Sequence, residues 1–220
     1  RSLWNWVTLG SLNLVSVGTN LKFYIERGGS YNDITPLRTS TTLGSNPFTG
    51  DGTTTVTVTA ASHGCNTGDF VTFSGVTGTY ATLLNAEYQV TVVSVNSYTI
   101  TTASAVAAGA TGGAAVVATY QINTGPAYSI PLTGWGAGAW GSGAWGVGGT
   151  SSTSLRLWSA QNYGEDLVFG PRGGAIYYWD ATSGVTSRGV NLNTLGGTVT
   201  FTVATPTVVT LTTILTEGTA

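Results

Sequence analysis

Two stretches of the chain, SLWNWVTLGSLNLVSVG (2–18) and SLRLWSAQNYGEDLVFG (154–170), read as one pattern written twice. Both open Ser-Leu, and in each a tryptophan precedes a glycine by twelve positions: Trp6 before Gly18, Trp158 before Gly170. Each then turns, through Thr19-Asn20 or Pro171-Arg172-Gly173-Gly174, into an aromatic strand ending in an acid, LKFYIE (21–26) or AIYYWD (175–180). Each turns again at Gly28-Gly29 or Ser183-Gly184 and ends in a short Arg-bearing segment, DITPLR (33–38) or SRGVNL (187–192). Four short strands in about 40 residues, twice over, is the pattern of β-propeller blades.

The rest of the chain supports the same class. Leu21, Phe23 and Ile25 alternate with Lys22, Tyr24 and Glu26, and TVTVT (55–59) and TVTFTV (198–203) also alternate, as half-buried strands do. Only the neighbourhood of Tyr80 to Glu87 offers a helical turn. Residues 39–124 contain neither Lys nor Arg and carry their own strand series: TTTVTVTA, DFVTFSG, EYQVTVVSV, SYTITTA and AAVVATYQI. The expected fold is therefore all-β, with propeller-type four-stranded blades and an inserted small β-barrel or sandwich. The expected division is a blade segment at 1–38, the inserted module at 39–124 and a WG-rich connection at 125–152. A second blade segment follows at 153–195, and a strand segment at 196–220.

The connection contains GWGAGAWGSGAWGVGG (134–149), in which Trp135, Trp140 and Trp145 recur every five residues. Its glycines satisfy G-x-G-x-x-G, but no helix signal follows them, so a dinucleotide site is not expected. A spacing of five gives neither a strand face nor a helix face one aromatic stripe. An ordered, looping clamp that seats indoles in separate pockets is the expectation.

Charged residues make up 7% of the chain, against about 25% in an ordinary soluble domain, so Ser, Thr, Gly and Asn must form the surface. Such a surface suits a protein covered by partners or working outside the cell. With a formal net charge of −2 and a single lysine, Lys22, the chain has no basic stripe to track a phosphate backbone. The lone Cys65 excludes an internal disulfide and a cysteine metal cluster. The Ala/Gly-rich run 105–118 is too short to span a bilayer, and no membrane insertion is expected. Methionine is absent and the chain opens abruptly on a strand-like run, from which a piece of a longer polypeptide is expected.

His63 and Cys65 flank one glycine, and they read as the start of a hairpin ahead of Asp69–Phe73. Glu165 and Asp166 are neighbours on the chain and face opposite ways, so they are poorly placed to act as an acid–base pair. The aromatics Tyr163, Tyr177, Tyr178 and Trp179 could stack on sugar, but blade packing or a partner surface fits them better. No catalytic, cofactor-binding or metal-binding residue is expected. The candidate structural and interface residues are Trp135, Trp140, Trp145, Trp158, Tyr177, Tyr178, Trp179, Arg172 and Asp180.

GWGAGAWGSGAWG together with LRLWSAQNYGEDLVFGPRGGAIYYWDATSG resembles the tail nozzle (tail tubular protein B-like) proteins of short-tailed phages. NLVSVGTNLKFYIERGG and DITPLR resemble the blade-forming part of the same family, and residues 62–100 are similar to small β-modules inserted in phage tail proteins. The resemblance covers about residues 11–193 and fades after 196. It implies a virion protein of the tail, made in the host cytoplasm, that forms a cyclic homo-oligomer, typically a hexamer. It implies partners among other tail proteins, DNA passing without specific binding, and no cofactor. A non-enzymatic conduit is the expected function. The alternatives are a carbohydrate-binding tail adhesin and a self-assembling extracellular β-fibre subunit.

Overall fold

The structure is a computed structural model that describes residues 2–123, 125 and 157–194, and the backbone of two further strands at 197–202 and 208–213. Trp135, Trp140 and Trp145 lie outside the described residues, and with them the expected clamp. The chain divides into two compact units, Arg1–Pro36 with Arg156–Ala220, and Leu37–Leu155.

The first unit opens with β1 (Ser2–Val7), β2 (Asn13–Gly18), β3 (Phe23–Arg27) and β4 (Ser30–Asp33), hydrogen-bonded antiparallel in that order. The second unit contributes β5 (Leu37–Thr42), β6 (Phe48–Gly50), β7 (Thr55–Thr59) and β8 (Phe70–Ser74). A single helical turn, α1 (Ala81–Leu84), follows, then β9 (Glu87–Gln89), β10 (Thr91–Ser94), β11 (Ser97–Thr101), β12 (Gly109–Thr111) and β13 (Val117–Gln121). The chain returns to the first unit with β14 (Trp158–Tyr163), β15 (Asp166–Pro171), β16 (Tyr177–Trp179) and β17 (Val190–Asn191), again an antiparallel meander in chain order. β18 (Gly197–Thr202) and β19 (Val208–Thr213) pair as a hairpin.

The protein is thus all-β. No sheet among the described residues closes on itself, so the propeller and barrel expected from the sequence are not established. One strand assignment is corrected. The fourth strand of the first meander is Ser30–Asp33, not DITPLR, because a tight turn at Gly28-Gly29, both at positive φ, brings the chain straight back onto β3. Leu37 and Arg38 instead open β5, which pairs with β13 in the other unit.

In the second unit two sheets, ordered β10-β11-β7-β6-β12 and β5-β13-β8-β9, share one core. Alternation makes that core. Val56 and Val58 point inward between threonines, and the register Tyr98↔Val58 and Ile100↔Val56 sets four apolar side chains on one face. Val71, Phe73, Ala118 and Tyr120 line the facing sheet, and Phe48 meets Phe73 edge-on with ring centroids 4.9 Å apart. Gly50 has no room for a side chain: an added Cβ would lie 2.4 Å from the Ala107 carbonyl oxygen.

Because this core is drawn entirely from its own unit, residues 37–123 expressed alone should give dispersed amide resonances and one cooperative melt. Phe48→Ala should lower their stability by about 3–5 kcal/mol, read by urea unfolding.

Candidate functional site: the face shared by two meanders

In the first unit the meanders β1–β4 and β14–β17 each turn one face to a common core. Phe23 and Phe169 stack there almost flat, with centroids 4.4 Å apart and 12° between the rings. Trp158 lies 4.8 Å from Phe23, and Trp6 meets Trp179 edge-on at 6.4 Å. Each meander also caps an open carbonyl of the other. Trp158 Nε1 donates to Thr19 O (2.8 Å) and Trp6 Nε1 donates to Glu165 O (2.8 Å). Trp4 Nε1 donates to Asn162 Oδ1 (3.1 Å), and the Leu9 amide donates to Glu165 Oε1. Gly18 makes the close approach possible, since a Cβ there would sit 2.7 Å from Trp158 Cδ1 and 2.7 Å from Ser2 Oγ.

The direction of the strands follows from these contacts. The C-terminal ends of β1 and β14 meet through Trp6, Leu9 and Glu165, while Trp158 at the start of β14 lies over Gly18, the partner of Ser2 at the start of β1. β1 and β14 therefore run the same way. At the far edge the Gly189 amide donates to Ile34 O (3.0 Å), which places the approach to β17 beside the end of β4. The two sheets lie with the same strand order and the same strand direction.

The hydrogen-bond ladders, taken with that common direction, fix which faces meet. Thr8 N–H donates to Leu12 O (3.0 Å), which makes Trp6–Leu14 a hydrogen-bonded pair, because such pairs alternate along an antiparallel ladder. Arg172 N–H donates to Leu157 O (2.6 Å), which makes Ser159–Gly170 and Gln161–Val168 the hydrogen-bonded pairs of the second meander. So the inward Trp6 aims its backbone at β2, whereas in β14 the outward Ser159 and Gln161 aim theirs at β15. For L-residues on strands of one direction these two orientations are linked, so the meanders meet through opposite faces.

A polar hub closes the rim. Asp33 Oδ2 accepts from Lys22 Nζ (2.8 Å), its Oδ1 lies 2.9 Å from Arg188 Nη1, and Arg188 also donates to Thr35 O (3.1 Å). Burial works to raise the Asp33 carboxyl. The bonds from Lys22 and Thr35 and the Arg188 charge outweigh it, and the group is held below its ordinary value.

The candidate residues divide by face. Trp158, Tyr177 and Trp179 are buried in the common core. Tyr178 points outward and donates its hydroxyl to Asp166 Oδ2, a bond to a carboxylate that, with burial, pushes it up to about 12. Asp180 accepts from Thr182 N (2.8 Å), Thr182 Oγ1 (2.7 Å) and Ser183 Oγ (3.1 Å), and so caps the turn Ala181–Ser183; the Thr182 bonds hold its carboxyl below its ordinary value. Arg172 is exposed in the turn after β15. Glu165 and Asp166 serve different partners, the Leu9 amide for one and Tyr178 with the Ala181 amide for the other. Nothing in the sequence pattern marks Asp33 as a hub or Gly18 as the seat of Trp158.

In the second unit His63 Nε2 lies 2.8 Å from Ser94 O, and its Nδ1 accepts from the Cys65 amide (3.1 Å). Both ring nitrogens thus serve the backbone. Burial pushes the Cys65 thiol up to about 11, against the pull of Arg38, whose Nη2 lies 3.5 Å from Sγ. Among the described residues no group of three His, Cys, Asp or Glu could hold a metal ion, and no helix is long and apolar enough to cross a membrane.

No family model matches the chain, and no curated protein matches it. Among solved structures it is similar to a phage phi92 endosialidase, with 15% identity over 85% of this chain and a TM-score of 0.32. The match spans 28% of the length of that chain. At that score the likeness carries no argument about fold, and no residue role is transferred. That neighbour is a phage protein and an enzyme, not a tail nozzle; the expectation that this chain is non-enzymatic is withdrawn, since nothing found for the chain supports excluding an activity.

Two outcomes follow from the shared face. Gly18→Ala should cost about 1–3 kcal/mol by forcing Trp158 off its seat, measured by urea unfolding of the full chain. Asp33 has a depressed folded pKa, so its contribution is fully present above the unfolded carboxylate value of about 3.9 and is lost as the pH falls through the folded value. The wild type should therefore lose thermal stability below about pH 4 more steeply than Asp33→Asn, which should start lower at neutral pH. Parallel pH profiles of Tm for the two proteins would expose the opposite.

Proposed function

We propose that the chain is part of a virion structural protein of a short-tailed phage, a tail nozzle or tail tube component that builds a ring-shaped conduit from copies of itself. In this reading the first unit supplies two successive blades of a propeller-type stack and the second unit is a module inserted between them. The single observation that carries it is the stacking of β1–β4 on β14–β17 in the same strand order and direction through opposite faces. Blades set around an axis repeat in that way, whereas two sheets related by a two-fold axis would meet through the same face. The repeated sequence and the resemblance of its motifs to nozzle proteins support the phage assignment. The sparse cations, seven Lys and Arg in 220 residues, would let DNA pass without gripping it.

A carbohydrate-binding tail adhesin is the second reading. Tyr163 and Tyr31, 75% and 66% exposed on the outward faces of the two meanders, favour it. Antibodies raised against the 220-residue chain separate the two. On particles that carry the protein they should decorate the body of the tail, and cryo-electron microscopy should show a ring of copies around its axis. Decoration of peripheral spikes, with binding of the chain on a glycan array, would overturn the nozzle reading in favour of the adhesin.

A further inference from the structure

Among the described residues, the outward faces of both meanders carry exposed apolar side chains. On the first meander the register aligns Leu3, Val17 and Tyr24 across three strands of the outward face, with Leu3 73% and the neighbouring Val7 58% exposed. On the second meander Val168, Tyr178 and Val190 form the corresponding outward row, with Val190 47% exposed. These faces are complementary in kind. The outward face of β1–β4 is the topological equivalent of the face that β14–β17 buries inside the chain. The outward face of β14–β17 is the equivalent of the face that β1–β4 buries. The molecule therefore carries both halves of a contact it already makes once within itself.

We propose that the outward face of β1–β4 is a docking surface for the outward face of β14–β17 on a second copy of this chain. Copies stack head to tail and repeat between chains the meander-on-meander contact made within each. The proposal deepens the self-association in the reading above by naming the two faces, and it rests on that reading only for there being copies to stack. A contact of this kind is heterologous: it satisfies one face on each copy and leaves the other free, so growth does not stop at a dimer.

The size of the face sets the strength. Four strands about 4.8 Å apart and two to six residues long cover at most roughly 19 by 19 Å, so one contact buries no more than on the order of 700 Å² over both partners. That lies below the roughly 1,200 Å² of standard stable interfaces, so a single contact is weak and must be sought at high concentration.

The test uses the full chain in analytical ultracentrifugation up to millimolar concentration. Leu3→Asp with Val7→Asp blocks the first face, and Tyr163→Ser with Val190→Asp blocks the second. All four positions are exposed, so both variants should keep the wild-type near-ultraviolet circular dichroism and melting curve. The wild type should associate beyond a dimer as concentration rises. Each variant alone should remain monomeric, and an equimolar mixture should form dimers and stop there, because each supplies the face the other lacks. Self-association of the first variant at wild-type strength, or a mixture that stays monomeric, would overturn the pairing of these faces while the nozzle reading stands. A wild type that stays monomeric at millimolar concentration would overturn the docking outright, and the labelling of tails would then decide the nozzle reading separately.

Discussion

The flat stack of Phe23 on Phe169 is the contact that the first unit is arranged to permit. Two rings 4.4 Å apart require their backbones to come close, and two glycines make that approach possible. Gly18 lets Trp158 slide over β2 to brace Phe23, and at Gly189 a Cβ would fall 2.5 Å from Phe169 Cζ. Aromatic side chains bury on the order of 200 Å² each, which at roughly 25 cal/mol per Å² makes this cluster the dominant apolar term of the unit. The polar contacts around it are fitted to what the rings leave open. The indole N–H groups of Trp158 and Trp6 find the turn carbonyls of Thr19 and Glu165, and Asp33 gathers Lys22 and Arg188 at the rim. In a chain with so few charges, this cluster places three of them where they join the end of the first meander to the second.

How much of this was legible depended on what kind of information each feature carries. The strand runs were legible because alternation is local: Val56 and Val58 between threonines, Tyr98 and Ile100, Phe23 and Ile25. The one α-helical turn among the described residues falls at Ala81–Leu84, inside the stretch singled out for it. The strands β5, β6 and β12 escape, because LRTSTT, FTG and GAT carry almost no alternation and owe much of their pairing to neighbours far along the chain. DITPLR has the look of one strand, yet the chain leaves the first unit after Pro36, so its two halves belong to different sheets.

The repeat is the instructive case. The doubling of a four-stranded meander was visible, but the residue equivalence was not. Trp6 lies opposite Leu14 near the end of its strand, whereas Trp158 lies opposite Pro171 at the start of its own. The equal spacing of twelve arises from a five-residue loop after β1 and a two-residue loop after β14, offset by a shift in register. Spacing along the chain cannot reveal such a compensation. A shift of one residue exchanges the two faces of a strand, so face assignment is the first thing lost when equivalence is read from spacing alone. At the candidate site, the aromatic residues were legible as a set, whereas their division between a buried face and an open one was a property of the ladders.

Cys65 carries a consequence of a different kind. Its thiol is buried beneath Arg38 and beside the His63 carbonyl, and with a pKa of about 11 only about one molecule in a thousand is a thiolate even at pH 8. Thiol–disulfide exchange and oxidation both proceed through the thiolate, so this sulfur is protected chemically as well as sterically. The fold can thus carry an odd cysteine through oxidising surroundings without cross-linking its copies, and reactivity of that sulfur toward a thiol reagent becomes a direct reporter that the second unit has opened.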